Sequence, residues 1–324
     1  MHLFIIAITI LMGIAVGWSI GANDAANSLG VAVGSRVLTF RQAILLICIF
    51  GFLGAYFNGA HVIKTVGKGI VPLDQLDKNI ALYVALVASF GACAWVALAT
   101  HWKMPISTSH SIVGAVAGAG LAVHAPISWK VLFDVFMCWI LTPVGAAIMG
   151  FVICIIVKNT FYRIVPRRFA RPILVFLVIT SGCYVAFTWG ANDVANCVGV
   201  ISGAGILSIN SSIILGIMAI LFGIITLGYK VIQTVGSEIT NLVPVMAFSA
   251  QLASALNVHI YTLFGIPVST SHSIVGAIFG VGMVRGLRVL NIKILKNIII
   301  SWIATPFVSG VVSFSVLKGI MLFK

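Results

Sequence analysis

Ten long runs of apolar residues, separated by short polar connections, dominate the chain. They cover residues 3–20, 42–60, 79–100, 104–124, 129–157, 171–189, 211–229, 241–265, 267–284 and 297–322. Runs of about 18 or more apolar residues are long enough to cross a bilayer as helices. The short alternating strands of a membrane β-barrel would give a different pattern. The sequence therefore predicts an all-α polytopic membrane protein with about 10–12 transmembrane helices.

Composition agrees with this class. Hydrophobic residues make up 61% of the 324 positions and charged residues only 8%, whereas soluble domains carry about 25% charged residues. The N-terminal apolar run has no basic leader or evident cleavage site, so we expect a retained helix rather than a signal peptide. The six cysteines show no metal-ligand spacing and are expected to be small buried hydrophobic residues.

The net charge of +13 has a topological explanation. If all ten runs cross the membrane, the odd-numbered connections share one side and hold 13 of the 19 basic residues. The positive-inside rule then makes those connections cytoplasmic and places both termini outside an inner membrane. Lys64, Lys68 and Lys78 lie on the opposite side and go against the rule. This distribution favours a topology signal over nucleic-acid binding.

Internal repetition divides the chain into two similar units. Four sequence blocks recur in the same order, with offsets between 162 and 169 residues: 21–30 with 190–199, 62–67 with 231–236, 105–115 with 267–277, and 139–143 with 302–306. Each unit holds five apolar runs, and an odd number makes the second unit inverted relative to the first. We therefore expect a first inverted repeat over 1–157, a basic linker over 158–172 and a second repeat over 173–324, with broken or half-helices at the site.

The first repeated motif, Gly-Ala-Asn-Asp-x-Ala-Asn, places carboxylates inside apolar segments. Asp24 and Asp193 are two of only six acidic residues, and ionisable groups within a membrane indicate function. Amide neighbours lie within one helical turn of each carboxylate: Asn23 and Asn27 in the first copy, Asn192 and Asn196 in the second. Carboxylate and amide oxygens suit a hard cation, and the preceding glycines permit a helix break. The alternative is polar contact between helices.

The second repeated motif is Pro-[Ile/Val]-Ser-Thr-Ser-His, at 105–110 and 267–272. Half-helices opening at Pro105 and Pro267 would present free N–H groups to an anion. Hydroxyl donors would surround it: Ser107, Thr108 and Ser109 from one copy, and Ser269, Thr270 and Ser271 from the other. Two such ends from inverted repeats predict a site for a tetrahedral oxyanion. Alternatively, these hydroxyls bond to their own helix carbonyls.

Four further polar residues are supporting candidates. His110 and His272 end the second motif and could contact the anion or titrate, although a fixed hydrogen bond to a carbonyl is favoured. Glu238 breaks the repeat symmetry because its counterpart is Gly69, and it is either a cation ligand or an interfacial charge. Gln251, opposite Ser89, is a weaker candidate.

Together the two motifs resemble the PiT family of inorganic phosphate transporters over essentially the whole chain. The resemblance implies phosphate uptake driven by sodium or protons, and it is compatible with a homodimer in membrane lipid. It assigns Asp24 and Asp193 to cation coupling and the two Ser-Thr segments to the anion. Sodium is the favoured coupling ion, and no organic cofactor is expected. Family members usually have Thr where this chain has Ser109 and Ser271, which keeps the hydroxyl. The short chain, without a long central loop, indicates a prokaryotic member.

Three alternatives stay open at this point. Relatives that carry sulfate exist, so a proton-coupled sulfate or other oxyanion permease of the same fold is possible. An intramembrane hydrolase using Ser and His would need a nucleophile beside its base, and two equivalent copies argue against a single reacting centre. A passive anion channel would not accumulate its substrate uphill.

Overall fold

The computed structural model describes residues 2–102, 106–228, 243–284 and 292–323, without the side chains of residues 25–27, 100, 101, 162 and 292–299. Ten α-helices lie in these ranges. The first five are α1 (His2–Gly34), α2 (Phe40–Lys64), α3 (Lys78–His101), α4 (Thr108–Ala122) and α5 (Trp129–Ile164). The others are α6 (Arg167–Gly203), α7 (Ile209–Gly223), α8 (Pro244–Leu263), α9 (Thr270–Met283) and α10 (Ile292–Leu322).

Three short helical turns adjoin these helices. α2 and α7 continue directly into π-helical turns, Thr65–Gly69 and Ile224–Gly228, and a 3₁₀ turn at Leu73–Gln75 precedes α3. All the regular structure of the described residues is thus helical, which confirms the predicted all-α class.

Helix length separates membrane-spanning from shorter elements. Seven helices of the described residues are long and apolar enough to cross a membrane, which confirms the polytopic prediction. α4 and α9 have only 15 and 14 residues, and a crossing needs about 20. The assumption that all ten apolar runs cross is therefore wrong. α4 and α9 are the half-helices that the second motif predicted.

Each half-helix returns to the side from which its chain segment entered. The Ser128 N–H, just beyond α4, donates to the Ile70 carbonyl, just before α3, at 3.0 Å. In the second half, Met246 near the start of α8 packs in one cluster with Val281 and Val284 at the end of α9. α3–α4 (hairpin one) and α8–α9 (hairpin two) are therefore re-entrant hairpins, although α3 by itself is long enough to cross. Because each hairpin replaces two predicted crossings, the sides of the other connections are unchanged, and their orientation in the cell stays a prediction.

Small residues let each half-helix lie directly against a long helix. A Cβ on Gly114 or Gly118 of α4 would overlap the Pro306 or Gly310 carbonyl of α10. Equivalent overlaps would join α9 to α5, from Gly276 to Pro143 and from Gly280 to Ala147. Such close backbone approach is possible only where side chains are absent. The same packing recurs in the two sequence repeats, whose proposed limits stay a prediction.

The helices are more continuous in two places than the sequence indicated. The basic stretch 158–172 is almost wholly helical, because only Val165 and Pro166 separate α5 from α6, and its role as the linker between repeats stays a prediction. α1 and α6 also continue through the first motif, although its glycines would permit a break there. The glycines instead allow close packing, since a Cβ on Gly190 would overlap the Gly51 carbonyl of α2.

Candidate functional site

Two carboxylates lie inside the helix bundle at equivalent places in α1 and α6. Asp24 is 3% exposed and Asp193 is 1% exposed. Both occupy continuous helix, where Asn192, Asp193 and Asn196 fall within little more than one turn and share a face. The carboxylates also lie within electrostatic range of each other. The centre of the bundle therefore holds two neighbouring carboxyl groups.

Neutral donors surround the Asp193 carboxylate. The side-chain amides of Asn192 and Asn196 donate to Oδ1 at 2.7 and 3.0 Å, and the Thr270 hydroxyl donates to Oδ2 at 3.2 Å. Among the described residues the one ion pair joins exposed Lys68 and Asp74, so no described lysine or arginine pairs with Asp193. A buried carboxylate without a basic partner carries an uncompensated desolvation penalty.

The first half repeats the contact between the two motifs. The Thr108 hydroxyl donates to Asp24 Oδ2 at 3.1 Å, as Thr270 does to Asp193. The predicted anion motif and the predicted cation motif are thus in direct contact in both halves. Asn23 is half-buried in α1, and the Asn27 side chain lies outside the described residues.

Serine, rather than proline, begins each half-helix. Ser107 and Ser269 have extended backbones and act as N-caps, accepting from the N–H of His110 and His272 at 3.3 and 3.2 Å. Serine is a preferred cap because its hydroxyl satisfies a first-turn N–H. Pro267 lies two residues before its cap, so the predicted opening at this proline is wrong. Pro105 lies outside the described residues.

The two helix starts meet at Ser109. Its hydroxyl donates to the Val268 carbonyl at 2.9 Å and accepts from the Asn196 amide at 2.9 Å and the Asn192 amide at 3.5 Å. Asn192 also pairs with the Val268 backbone, donating to its carbonyl at 2.7 Å and accepting its N–H at 3.1 Å. Hairpin one, hairpin two and α6 therefore share one hydrogen-bond network, while Ser271 is half-buried on α9.

The donor set around Asp193 fits a hard cation. Asn196 Oδ1 is buried and has no hydrogen-bond partner among the described residues, so an acceptor is left over beside the carboxylate. Carboxylate, amide and hydroxyl oxygens are ligands for hard cations rather than for soft transition metals. The described residues also contain no cluster of three or more His, Cys, Asp or Glu. The first turns add anion donors, because the N–H groups of Thr108 and Ser109 precede the first intrahelical bond.

The two histidines form a stack with two tryptophans behind the helix starts. Trp139 stacks on His110 with centroids 3.7 Å apart, the His110 and His272 rings meet edge-on at 4.5 Å, and His272 stacks on Trp302 at 3.4 Å. His110 Nδ1 lies 3.2 Å from the Trp302 carbonyl, a bond of the kind favoured from the sequence. Neither tryptophan is among the predicted site residues, although the repeated Trp-Ile-x-Thr-Pro block was a signal for them.

This arrangement does not support the hydrolase alternative. Ser109 donates to a backbone carbonyl, while the Ser107 and Ser269 hydroxyls accept from backbone N–H groups. His110 Nδ1 faces the Trp302 carbonyl, and the other ring nitrogens of His110 and His272 have no hydrogen-bond partner among the described residues. No described serine is thus paired with a histidine base, although nucleophilic catalysis requires such a pair.

The remaining candidates lie elsewhere. Gln251 is fully buried in α8, where its Oε1 accepts from the Ser181 hydroxyl of α6 at 3.0 Å, so its described hydrogen bond does not involve either motif. Glu238 lies outside the described residues.

Comparison with known proteins agrees with this geometry. Residues 20–313 match the model of the phosphate transporter family. The chain is 32% identical to a protein of Pyrococcus furiosus that carries the name phosphate permease, over 98% of this chain and 97% of that protein. It is 26% identical to a chloroplastic inorganic phosphate transporter of Arabidopsis thaliana, over 92% of this chain and 69% of that protein.

A solved structure is also similar. A protein described as the sodium-dependent phosphate transporter matches with a TM-score of 0.88 and 30% identity, covering 99% of this chain and 100% of that one. These relatives are transporters and permeases rather than enzymes. The family match extends over both repeated motifs and nearly all the described helices. The chain therefore belongs to the phosphate transporter family.

Proposed function

We propose that this chain imports inorganic phosphate together with sodium ions by alternating access. The observation that carries the proposal is the Thr–Asp contact in each half, from Thr108 to Asp24 and from Thr270 to Asp193. It joins the residues suited to an anion to those suited to a cation. The names of the similar proteins supply phosphate and sodium as the candidate species.

Cations would bind at the two Asn-Asp motifs. At Asp193, a sodium ion would compensate the buried carboxylate and use the left-over Asn196 Oδ1, with Asn192 as a further ligand. Asp24, with Asn23 and Asn27, would form the equivalent site in α1. Glu238 is a candidate for a third site on sequence grounds.

Phosphate would bind where the two half-helices begin. The first-turn N–H groups and the positive ends of both helix dipoles favour an anion there. Five hydroxyls in this region, Ser107, Thr108, Ser109, Ser269 and Thr270, already have partners within the protein. A cation on Asp193 would release the Thr270 hydroxyl, which could then donate to phosphate. Cation binding would thus prepare the anion site.

Membrane energetics explain why cations would accompany the anion. Moving one charge through 100 mV costs about 2.3 kcal/mol, so a phosphate dianion entering a negative interior costs about twice that. Two sodium ions would neutralise the dianion, and a third would let the membrane potential drive uptake. The two hairpins and their supporting helices would rock around the shared site.

Uptake into proteoliposomes tests the proposal. Radiolabelled phosphate should accumulate when a sodium gradient is imposed at fixed pH, and unlabelled sulfate should not compete. Asp24→Asn and Asp193→Asn should abolish sodium-driven accumulation, whereas Asp134→Asn, at an exposed carboxylate of α5, should not. If uptake by both Asp24→Asn and Asp193→Asn still depended on sodium as in wild type, the assignment of cation binding to these carboxylates would be wrong. Strong competition by sulfate, or dependence on a proton gradient alone, would favour the sulfate or proton-coupled alternatives.

A further inference from the structure

An open apolar groove lies on the outer face of the bundle between α4, α5 and α10. Its volume is about 530 Å³. Gly114, Gly118 and Gly310 are among the residues that line it, and exposed Trp129, Phe307 and Val311 also line it. Such a groove on a membrane helix bundle faces hydrocarbon rather than water.

The groove has the depth of one lipid leaflet. The α4 residues that line the groove extend from Val113 to Leu121, a length of about 12 Å at 1.5 Å per residue. The hydrocarbon core is about 30 Å thick, so one leaflet contributes about half of that. These dimensions suit one acyl chain from one leaflet.

A basic pair stands at one end of the groove. The groove-lining residues of α4 and α10 end at Leu121 and Phe314. Lys318 follows one turn further along α10, and His124 lies in the turn just after α4 ends at Ala122. Lys318 Nζ lies 3.5 Å from His124 Nε2. Among the described residues no acid forms an ion pair with either, since the ion pair that they contain joins Lys68 and Asp74. The positive charge of Lys318, which has no acidic partner among the described residues, thus lies at one end of the apolar groove.

We propose that this groove binds a phospholipid, with an acyl chain along α4 and an anionic headgroup on Lys318 and His124. The Lys318 ammonium complements the negative charge of a lipid phosphate. Exposed Trp129 begins α5 and also lines the groove, and indole rings favour the membrane interface.

The sequence restricts the basic pair to one half of the molecule. By the repeat offsets of 162 and 163 residues, the counterpart of His124 is Gly286 and that of Lys318 is Ile155. The two repeats therefore share the transport motifs but not this pair. A lipid role would account for basic residues that lie outside both motifs.

The groove also reaches the candidate transport site. Trp139 lines it, stacks on His110, and donates from Nε1 to the Pro267 carbonyl at 3.2 Å. A bound chain would support the tryptophan that holds the tip of hairpin two. This consequence rests on the proposed function, whereas the lipid site itself does not.

Native mass spectrometry of the purified full chain tests the lipid site. The chain is exposed to equal amounts of phosphatidylglycerol and phosphatidylcholine, and the retained lipids are counted. Wild type should prefer phosphatidylglycerol, and Lys318→Gln should lower that preference about fivefold, because one basic residue near the surface contributes about 1 kcal/mol. His124→Gln should act in the same direction. Val311→Trp should fill the groove and prevent retention of both lipids. It should not destabilise the fold, because Val311 is 63% exposed.

Lys64→Gln is the matched control, because Lys64 is exposed on α2 and its counterpart in the second repeat is Gln233. Equal retention of both lipids, or no change in Lys318→Gln, would overturn the proposal. The proposal would also be overturned if Val311→Trp converted a dimer to a monomer and left lipid retention unchanged. The groove would then be an interface between copies of the chain. Since lipid retention is measured without transport, failure here leaves the uptake proposal standing, and failed uptake leaves the lipid site standing.

Discussion

Removing the Ser109 hydroxyl tests whether the junction between the hairpins depends on one side chain. Ser109 is 1% exposed and exchanges hydrogen bonds with the Val268 carbonyl and the amides of Asn192 and Asn196. Ser109→Ala would leave the carbonyl without this donor and the Asn196 amide without one of its two acceptors. Asn192 would lose little, because its 3.5 Å contact is long and it keeps the Val268 carbonyl.

The magnitude follows from the two short bonds. Both groups keep one partner, because the Val268 carbonyl still accepts from Asn192 and the Asn196 amide still donates to Asp193. The cost is therefore the net value of two hydrogen bonds, and Ser109→Ala should lower the free energy of unfolding by about 1–3 kcal/mol in total. Ser111→Ala is the matched control on the same helix, where the hydroxyl makes one longer bond of 3.3 Å to the Ala92 carbonyl within hairpin one. That variant should lose only about 1 kcal/mol.

Two measurements on purified variants check this prediction. Thermal unfolding in detergent should rank wild type above Ser111→Ala and Ser111→Ala above Ser109→Ala. Sodium-driven phosphate uptake should fall most in Ser109→Ala, because the junction also positions Asn196 beside Asp193. Ser109→Thr, which keeps the hydroxyl, should restore both properties. Equal effects of the two alanine variants, or a Ser109→Thr variant as impaired as Ser109→Ala, would refute the argument.

Three further predictions concern other contacts. Thr270→Val removes a hydroxyl that donates to Asp193, and a hydrogen bond to a charged group contributes about 1.5–3 kcal/mol. In uptake assays this variant should raise the phosphate KM about tenfold or more, whereas the KM of Thr270→Ser should stay near that of wild type. Trp139→Phe keeps an aromatic ring on His110 but loses the hydrogen bond to the Pro267 carbonyl. Its free energy of unfolding should fall by about 1 kcal/mol, whereas that of Trp139→Ala should fall by about 3–5 kcal/mol. The hydrogen bond from Lys68 holds the pKa of the exposed Asp74 carboxyl below its usual range. The small stabilisation of the fold by this ion pair is therefore present above the ordinary Asp pKa and is lost as pH falls through the lowered pKa. Wild type and Asp74→Asn should have the same melting temperature at acidic pH and differ slightly at neutral pH.

The helical class and the location of the site could be predicted because both rest on strong local signals. Apolar runs give the helices, and two motifs repeated in order identify the polar residues that a membrane interior would otherwise exclude. The half-helices were also predictable, since the second motif carries N-cap residues within an apolar run. The exact start was missed because the proline signal was given more weight than Ser269, which the structure makes the cap.

Other features depend on tertiary contacts that no sequence period encodes. Asn58 of α2 lies 3.0 Å from His259 Nε2, and the Tyr184 hydroxyl lies 2.6 Å from His259 Nδ1. These three residues belong to no repeated block, so nothing in the sequence groups them. The continuous helix through Asn192 and Asp193 was missed for a related reason. Glycine there permits close packing as readily as a break, and the neighbouring helix decides between them.

The Thr–Asp contacts show most clearly what folding adds to the motifs. From sequence, the Asn-Asp and Ser-Thr motifs are separate candidates, 84 residues apart between Asp24 and Thr108 and 77 apart between Asp193 and Thr270. The fold brings each pair within hydrogen-bond distance, in a region where no described basic residue compensates Asp193. A hydroxyl has one proton to donate, so Thr270 cannot donate to Asp193 and to phosphate at the same time. A cation that satisfies the carboxylate releases that proton for the anion, and an anion that takes it leaves the carboxylate in greater need of a cation. Such reciprocal dependence is what thermodynamic linkage requires of two coupled ligands.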